Sequence, residues 1–117
     1  MEKDAIQPDE APQTTAINNP KSDHKWHSQE YVEEWIASRI QLDEERRPRI
    51  REMLSYSSLL PDEAVHVLDI GGGYGVVTEE VLQAFPLAKV TLQDYSQPML
   101  NRAQERLRRF GIKSVTF

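Results

Sequence analysis

Residues Val67–Gly75, VLDIGGGYG, constrain this chain more than any others, because they place four glycines in five positions directly after an apolar, β-branched run. Glycine loses more conformational freedom on ordering than any other residue, so such a cluster implies backbone that turns sharply or lets another group come close. The run before it, Val65 to Ile70, reads as a short strand. After it, Val77, Val81, Leu82 and Phe85 share one helical face, and Pro86 ends that helix. AKVTLQD reads as a second strand and IKSVTF as a third. Between them SQPMLNRAQERLRRFG predicts a helix with Ser96 as N-cap, Met99, Leu100, Ala103, Leu107 and Phe110 as its stripe, and Gly111 at its end. Strand, helix, strand, helix, strand in so short a span requires parallel strands joined by crossovers.

Upstream the pattern is helical. Tyr31, Val32, Trp35, Ile36 and Ile40 recur at helical spacing, which predicts an amphipathic helix from Ser28 to about Gln41. A second helix is predicted from near Asp43 to Tyr56, with Ile50, Met53 and Leu54 on its apolar side and a start or bend near Pro48. SSLLPDEA reads as a loop. Residues 1–24 mix Pro, Gln, Thr, Asn and acids with almost no aliphatic pattern, and are read as a disordered N-terminal tail. The organisation expected is therefore a tail over 1–24, a helical N-terminal extension over 25–60, and a partial ligand-binding domain over 61–117.

Composition removes several function classes. The chain has 117 residues, room for one small domain. Its 14 basic and 19 acidic residues give a net charge of -5, which disfavours a nucleic-acid surface or an anionic lipid partner. With no cysteine, a disulfide framework, a thiolate metal site and a cysteine nucleophile are all excluded. No stretch approaches a membrane span, and no signal-like apolar segment opens the sequence, so a cytoplasmic location and no membrane partner are expected.

A glycine-rich turn between a parallel strand and a helix N-terminus serves several ligand classes. A Walker A loop needs Gly-Lys followed by Ser or Thr, and the sequence contains no Gly-Lys pair. The dinucleotide pattern G-x-G-x-x-G/A finds its first two glycines in Gly71 and Gly73, but its third position falls on Val76. The spacing is instead G-x-G-x-G through Gly71, Gly73 and Gly75, with Asp69 two residues before the first glycine and Asp94 closing the next strand. VLDIGGGYG followed by VTLQDYSQPML resembles the first motif and the following acidic strand end of the class I S-adenosylmethionine-dependent methyltransferases, over about Val65 to Phe117.

That resemblance implies an α/β fold, the N-terminal half of a Rossmann-like doubly wound parallel sheet, with three strands preceded by two helices and the tail. It implies S-adenosyl-L-methionine as cofactor and methyl transfer to an acceptor the sequence leaves unidentified, with catalytic residues also unassigned. The cofactor-binding set it carries over is Asp69, Gly71, Gly72, Gly73, Tyr74, Gly75, Asp94 and Tyr95. In that set the glycine loop wraps the amino-acid and ribose portion, Asp69 fixes the loop and approaches the ammonium, Asp94 accepts from both ribose hydroxyls, and Tyr95 covers an adenine face. Each assignment has a local alternative: Asp69 capping amides of the turn, Asp94 opening the turn before Ser96, and Tyr95 packing. A non-catalytic methyltransferase-like binding module and a nicotinamide- or flavin-dependent oxidoreductase are the other readings.

The remaining candidates read as structural. His24 and His27 have H-x-x-H spacing but no carboxylate or cysteine nearby, so no metal site is expected. His66 reads as a packed or hydrogen-bonded histidine, Met99 as core, and RRPRIR and RLRR as solvated helix faces. Tyr31 and Trp35 read either as core or as part of a lid over the cofactor. The first strand is nearly continuous in apolar residues and is expected to be central, yet nothing in the chain is available to pair its far edge. A truncated product, prone to association through that edge, is the expectation that follows.

Overall fold

The computed structural model describes residues 25–111 and 113–117; the predicted tail and His24 lie outside them. Helix α1 (Gln29–Ala37) starts where Ser28 caps it, the serine side chain accepting from the Tyr31 N–H at 3.2 Å. It ends earlier than the apolar spacing predicts. The Ser38 hydroxyl donates to the Trp35 carbonyl at 2.6 Å, a local bond that competes with helix continuation.

Helix α2 (Ile40–Ser55) then runs unbroken through Pro48, so the helix does not start there. Proline has no N–H to offer the carbonyl four residues back, a cost that intrinsic propensity alone would not cover. Tertiary contacts on both sides override it: Ile50 is buried, and Arg47 and Arg51 are each anchored on Glu80 of the next helix.

The remainder follows the predicted alternation: β1 (His66–Ile70), α3 (Val76–Ala84), β2 (Lys89–Gln93), α4 (Gln97–Leu107), a 3₁₀ turn (Arg108–Phe110) and β3 (Val115–Thr116). The three strands form one parallel sheet in the order β1-β2-β3. The register sets Val67 opposite Val90 and Asp69 opposite Leu92, with Val90 opposite Val115. This face is buried against Val81, Leu82 and Phe85 of α3 and Ala103 and Leu107 of α4. A second cluster joins Val32, Ile36 and Ile50 of the first two helices to Tyr74, Val76 and Met99 beside the glycine loop.

The opposite face of the sheet is open. Leu68 is 61% and Ile70 73% exposed, and His66, Lys89, Thr91 and Gln93 beside them are exposed as well. Strand β1 lies at an edge of the described sheet, its far side unpaired as the sequence implies, with exposure alternating along its length. One expectation is corrected here: His66 is solvent-facing instead of packed.

Candidate functional site

An open crevice of about 610 Å³ lies beyond the carboxyl ends of β1 and β2, where ligands of open parallel sheets bind. The loop that forms its floor requires glycine for two separate reasons. Gly71, Gly73 and Gly75 all have left-handed backbone, with φ of 67, 59 and 92°. At Gly72 the constraint is space: a Cβ there would stand 2.8 Å from both Asp69 Oδ2 and Leu92 Cγ. Gly75 adds a close approach, since a Cβ would meet Leu107 Cδ1 at 3.2 Å, so the loop rests directly on α4.

The amides of the four loop glycines are engaged inside the protein. The Gly71 N–H donates to Gln93 Oε1 (3.2 Å), Gly72 to the Gln93 carbonyl (3.1 Å) and Gly73 to Asp94 Oδ2 (2.9 Å), while Gly75 donates to the Gly72 carbonyl (3.2 Å). Asp94 accepts from the Ser96 N–H through its other oxygen at 2.9 Å, and so ties the glycine loop to the start of α4. Asp69 Oδ2 accepts from the Thr78 hydroxyl at 2.7 Å beneath the loop. Both carboxylates line the crevice, and each oxygen keeps a further acceptor position.

The chain's relatives share this segment. The family of the methyltransferase domain matches residues 67–117, which span β1, the glycine loop, Asp94 and α4. Over these residues the chain is similar to the methyltransferase-domain family. A trans-aconitate 2-methyltransferase of Rhodopseudomonas palustris (strain BisA53) is 39% identical over 75 residues, 63% of this chain and 28% of the relative. A malonyl-acyl-carrier protein O-methyltransferase of Halalkalibacterium halodurans is 33% identical over 97 residues, 81% of this chain and 32% of the relative. The chain thus covers less than a third of the length of these curated relatives. The family is one of S-adenosylmethionine-dependent methyltransferases.

The methyltransferase segment is joined to the N-terminal helices through Tyr74, the one loop residue that is not glycine between Gly71 and Gly75. Its ring is buried, edge-on to Trp35 with centroids 6.0 Å apart, and lies under the Arg106 guanidinium at 5.3 Å. Its hydroxyl donates to Oδ2 of the buried Asp43 of α2. Burial, reinforced by that bond and by the Asp43 charge, pushes the phenol far above its usual range, so Tyr74 is a permanent donor. A second tie runs from the Ser96 hydroxyl to the Trp26 carbonyl, which brings Trp26 and His27 over the crevice rim.

Of the sequence-predicted residues, Asp69, Gly71, Gly72, Gly73, Tyr74, Asp94 and Tyr95 converge on the crevice. Gly75 sits behind it, capping α3. Tyr95 is 64% exposed and meets the His27 ring edge-on at 5.0 Å, so it is not a core residue. Met99 is buried and also lines the crevice. Sequence reading missed Trp26, Arg46 and Gln93, which line the same space. Gln93 was signalled by its place beside Asp94 at a strand end; Arg46 was hidden inside a basic run.

That run and RLRR depart from the solvated reading. Glu79 and Glu80 of α3 are buried and receive arginines from three directions. Arg47 reaches Glu79 at 2.9 Å and Glu80 at 2.7 Å, Arg51 reaches Glu80 at 2.8 Å, and Arg106 and Arg109 reach Glu79 at 3.0 and 2.7 Å. Burial pushes both carboxyls up, but the arginine hydrogen bonds outweigh it and hold each below the ordinary carboxylate range. The result is a charged clamp that fastens α2 and α4 to the helix carrying the loop. Among the described residues there is no cluster of three or more potential metal ligands, and no helix long and apolar enough to cross a membrane.

Proposed function

We propose that this chain carries the donor-binding half of an S-adenosylmethionine-dependent methyltransferase, and that the crevice holds the adenosyl sulfonium. One observation carries the choice of ligand. The amides of Gly71, Gly72, Gly73 and Gly75 already donate within the protein, and the acids beside them are Asp69 and Asp94. A pyrophosphate needs free backbone donors and suffers beside carboxylates, whereas a ribose diol and an ammonium group need acceptors. The crevice volume falls within the usual range for such ligands, roughly 300 to 1,000 Å³.

In this reading Asp94 accepts from the ribose hydroxyls with its remaining lone pairs, and Asp69 approaches the ammonium directly or through water. Gly71, Gly72 and Gly73 let the backbone lie against the ligand, Tyr74 and Gly75 hold that backbone in place, and Tyr95 covers one adenine face. When bound, the cofactor supplies an activated methyl group for in-line displacement by a nucleophile. The chain's own contribution is orientation and exclusion of water by the loop, Trp26 and Trp35.

Calorimetry with S-adenosylhomocysteine and with NADH tests the assignment. The protein should bind the first and not the second, and Asp94→Ala should weaken binding by a factor on the order of ten to a hundred. Asp94→Asn keeps one acceptor oxygen, for Gly73 or for Ser96 but not both, so its thermal midpoint read beside its affinity separates loss of the ribose contact from collapse of the loop. Preference for NADH, or unchanged affinity in both variants, would overturn the assignment.

A further inference from the structure

Between Gly71 and Gly75 only Tyr74 carries a side chain, so it is the one side-chain handle by which another element can hold the glycine loop. From the sheet side the loop is held by its backbone, through Gln93 and Asp94. From the helix side it is held through Tyr74, and at both ends of that residue. Arg106 Nε donates to the Tyr74 carbonyl at 3.1 Å, and the Tyr74 hydroxyl donates to Asp43 Oδ2. The ring between these two contacts is buried against Trp35, and close packing passes a displacement of the hydroxyl on to the loop backbone.

Asp43 has the makings of a fixed post. It is buried on α2, its other oxygen accepts from Arg46 Nη1 at 3.2 Å, and further along α2 Arg47 and Arg51 are fastened to Glu80 of α3, the helix that leaves the loop. Among the described residues Tyr74 lines the crevice and Asp43 does not. A carboxylate taken out of water needs full compensation, and an apolar pair would pack these two positions without that demand. Ile50 of the same helix is buried in that simpler way. We infer that Asp43 is a positioning residue for the donor: through the Tyr74 hydroxyl it sets where the glycine loop stands in the crevice, and so how tightly the nucleoside is held, without touching the ligand. The inference rests on the adenosyl-sulfonium reading, and it makes the N-terminal helices part of the donor site.

Stability and affinity should separate in a set of variants. Asp43→Leu and Tyr74→Phe each leave one member of a buried pair without its partner, so both should lower the thermal midpoint; the double variant replaces both members with apolar groups and should recover most of that loss. Calorimetry with S-adenosylhomocysteine, at a temperature where every variant is folded, should behave otherwise. Affinity should fall roughly tenfold in each single variant and stay roughly tenfold down in the double variant, because the tie is missing from all three. Asp43→Asn keeps an acceptor for the tyrosine hydroxyl and should bind within about threefold of the parent. In the ligand-free protein, hydrogen exchange at the Gly72 and Gly73 amides should be faster in the double variant than in the parent, although the midpoint is restored. If affinity returns with the midpoint in the double variant, if no variant binds more weakly than the parent, or if the loop amides exchange at the parental rate, Asp43 serves folding alone and the inference falls while the adenosyl reading survives. If the parent does not bind S-adenosylhomocysteine, the adenosyl reading fails first and takes the inference with it.

Discussion

The two faces of the sheet differ more than the strands that make them. On the covered face Val67, Val90, Leu92 and Val115 lie under α3 and α4, and Asp69 and the glycine loop are positioned by that packing. On the open face Leu68 and Ile70 are exposed beside Lys89, Thr91 and Gln93, with no described element above them. Successive side chains of a strand point to opposite faces, so HVLDI sends His66, Leu68 and Ile70 to the open face and Val67 and Asp69 to the covered one. What separates the faces is the clamp on one side of the molecule: Glu79 and Glu80 bind arginines of α2 and α4 and so hold the helices onto the covered face. The candidate site takes its order chiefly from the covered face, with Gln93 of the open face adding the contact to Gly71.

The largest effect should come from the clamp. Glu80 has a 2% exposed side chain between Arg47 and Arg51, and Glu80→Ala leaves Arg47 buried without its closest partner. Breaking a buried pair from one side costs about 3–5 kcal/mol, and chemical denaturation should show a loss of that order. A loss under about 1 kcal/mol would mean that the clamp is incidental to the covered face. Leu92→Ala comes next. The residue is 0% exposed beneath Gly72, and truncation there should cost about 2–5 kcal/mol and weaken nucleoside binding with it.

Gly72→Ala sharpens the comparison, because it adds one methyl where the covered face meets the loop. With Asp69 Oδ2 and Leu92 Cγ both at 2.8 Å from the new Cβ, the loop must shift, at a cost of about 1–3 kcal/mol. Affinity for S-adenosylhomocysteine should fall further than stability does. A variant with parental affinity would show that the crevice tolerates a displaced loop.

Acid sensitivity should also follow the clamp. Glu79 and Glu80 are held below the ordinary carboxylate range, so each binds protons less readily folded than unfolded. Their contribution is complete above the unfolded value near 4.3 and is lost as pH falls through the lower folded value. Thermal midpoints measured from pH 7 to pH 3 should decline for the parent, and the decline should be shallower for Glu80→Gln. Parallel declines would assign acid lability to other carboxylates.

Much of the fold is legible in residue order. The switch from period-two to helical spacing around VLDIGGGYG locates β1, the loop and α3, and Ser96 and Gly111 bracket the following helical segment. The loop glycines and Asp94 are equally legible, because φ above zero and a strand-end acid leave a composition signal. Arg46, Trp26 and the Glu79–Glu80 clamp are not. Their roles depend on α2 and Trp26 meeting residues many positions away, and a basic run looks the same whether it faces water or a buried carboxylate. Pro48 misleads for a related reason, since the local penalty is visible in sequence and the arginine contacts that outweigh it are not.

The open face should give the smallest effect. Leu68 at 61% exposure and Ile70 at 73% contribute little burial, and Leu68→Thr places a β-branched polar residue, well suited to a strand, beside Thr91. Surface substitutions of this kind usually change stability by less than about 0.5 kcal/mol, so the thermal midpoint should barely move and S-adenosylhomocysteine affinity should be unchanged. A Leu68→Thr loss comparable to that of Leu92→Ala would mean that the face is buried in the working protein by something other than the described residues, and the contrast between the two faces would then disappear.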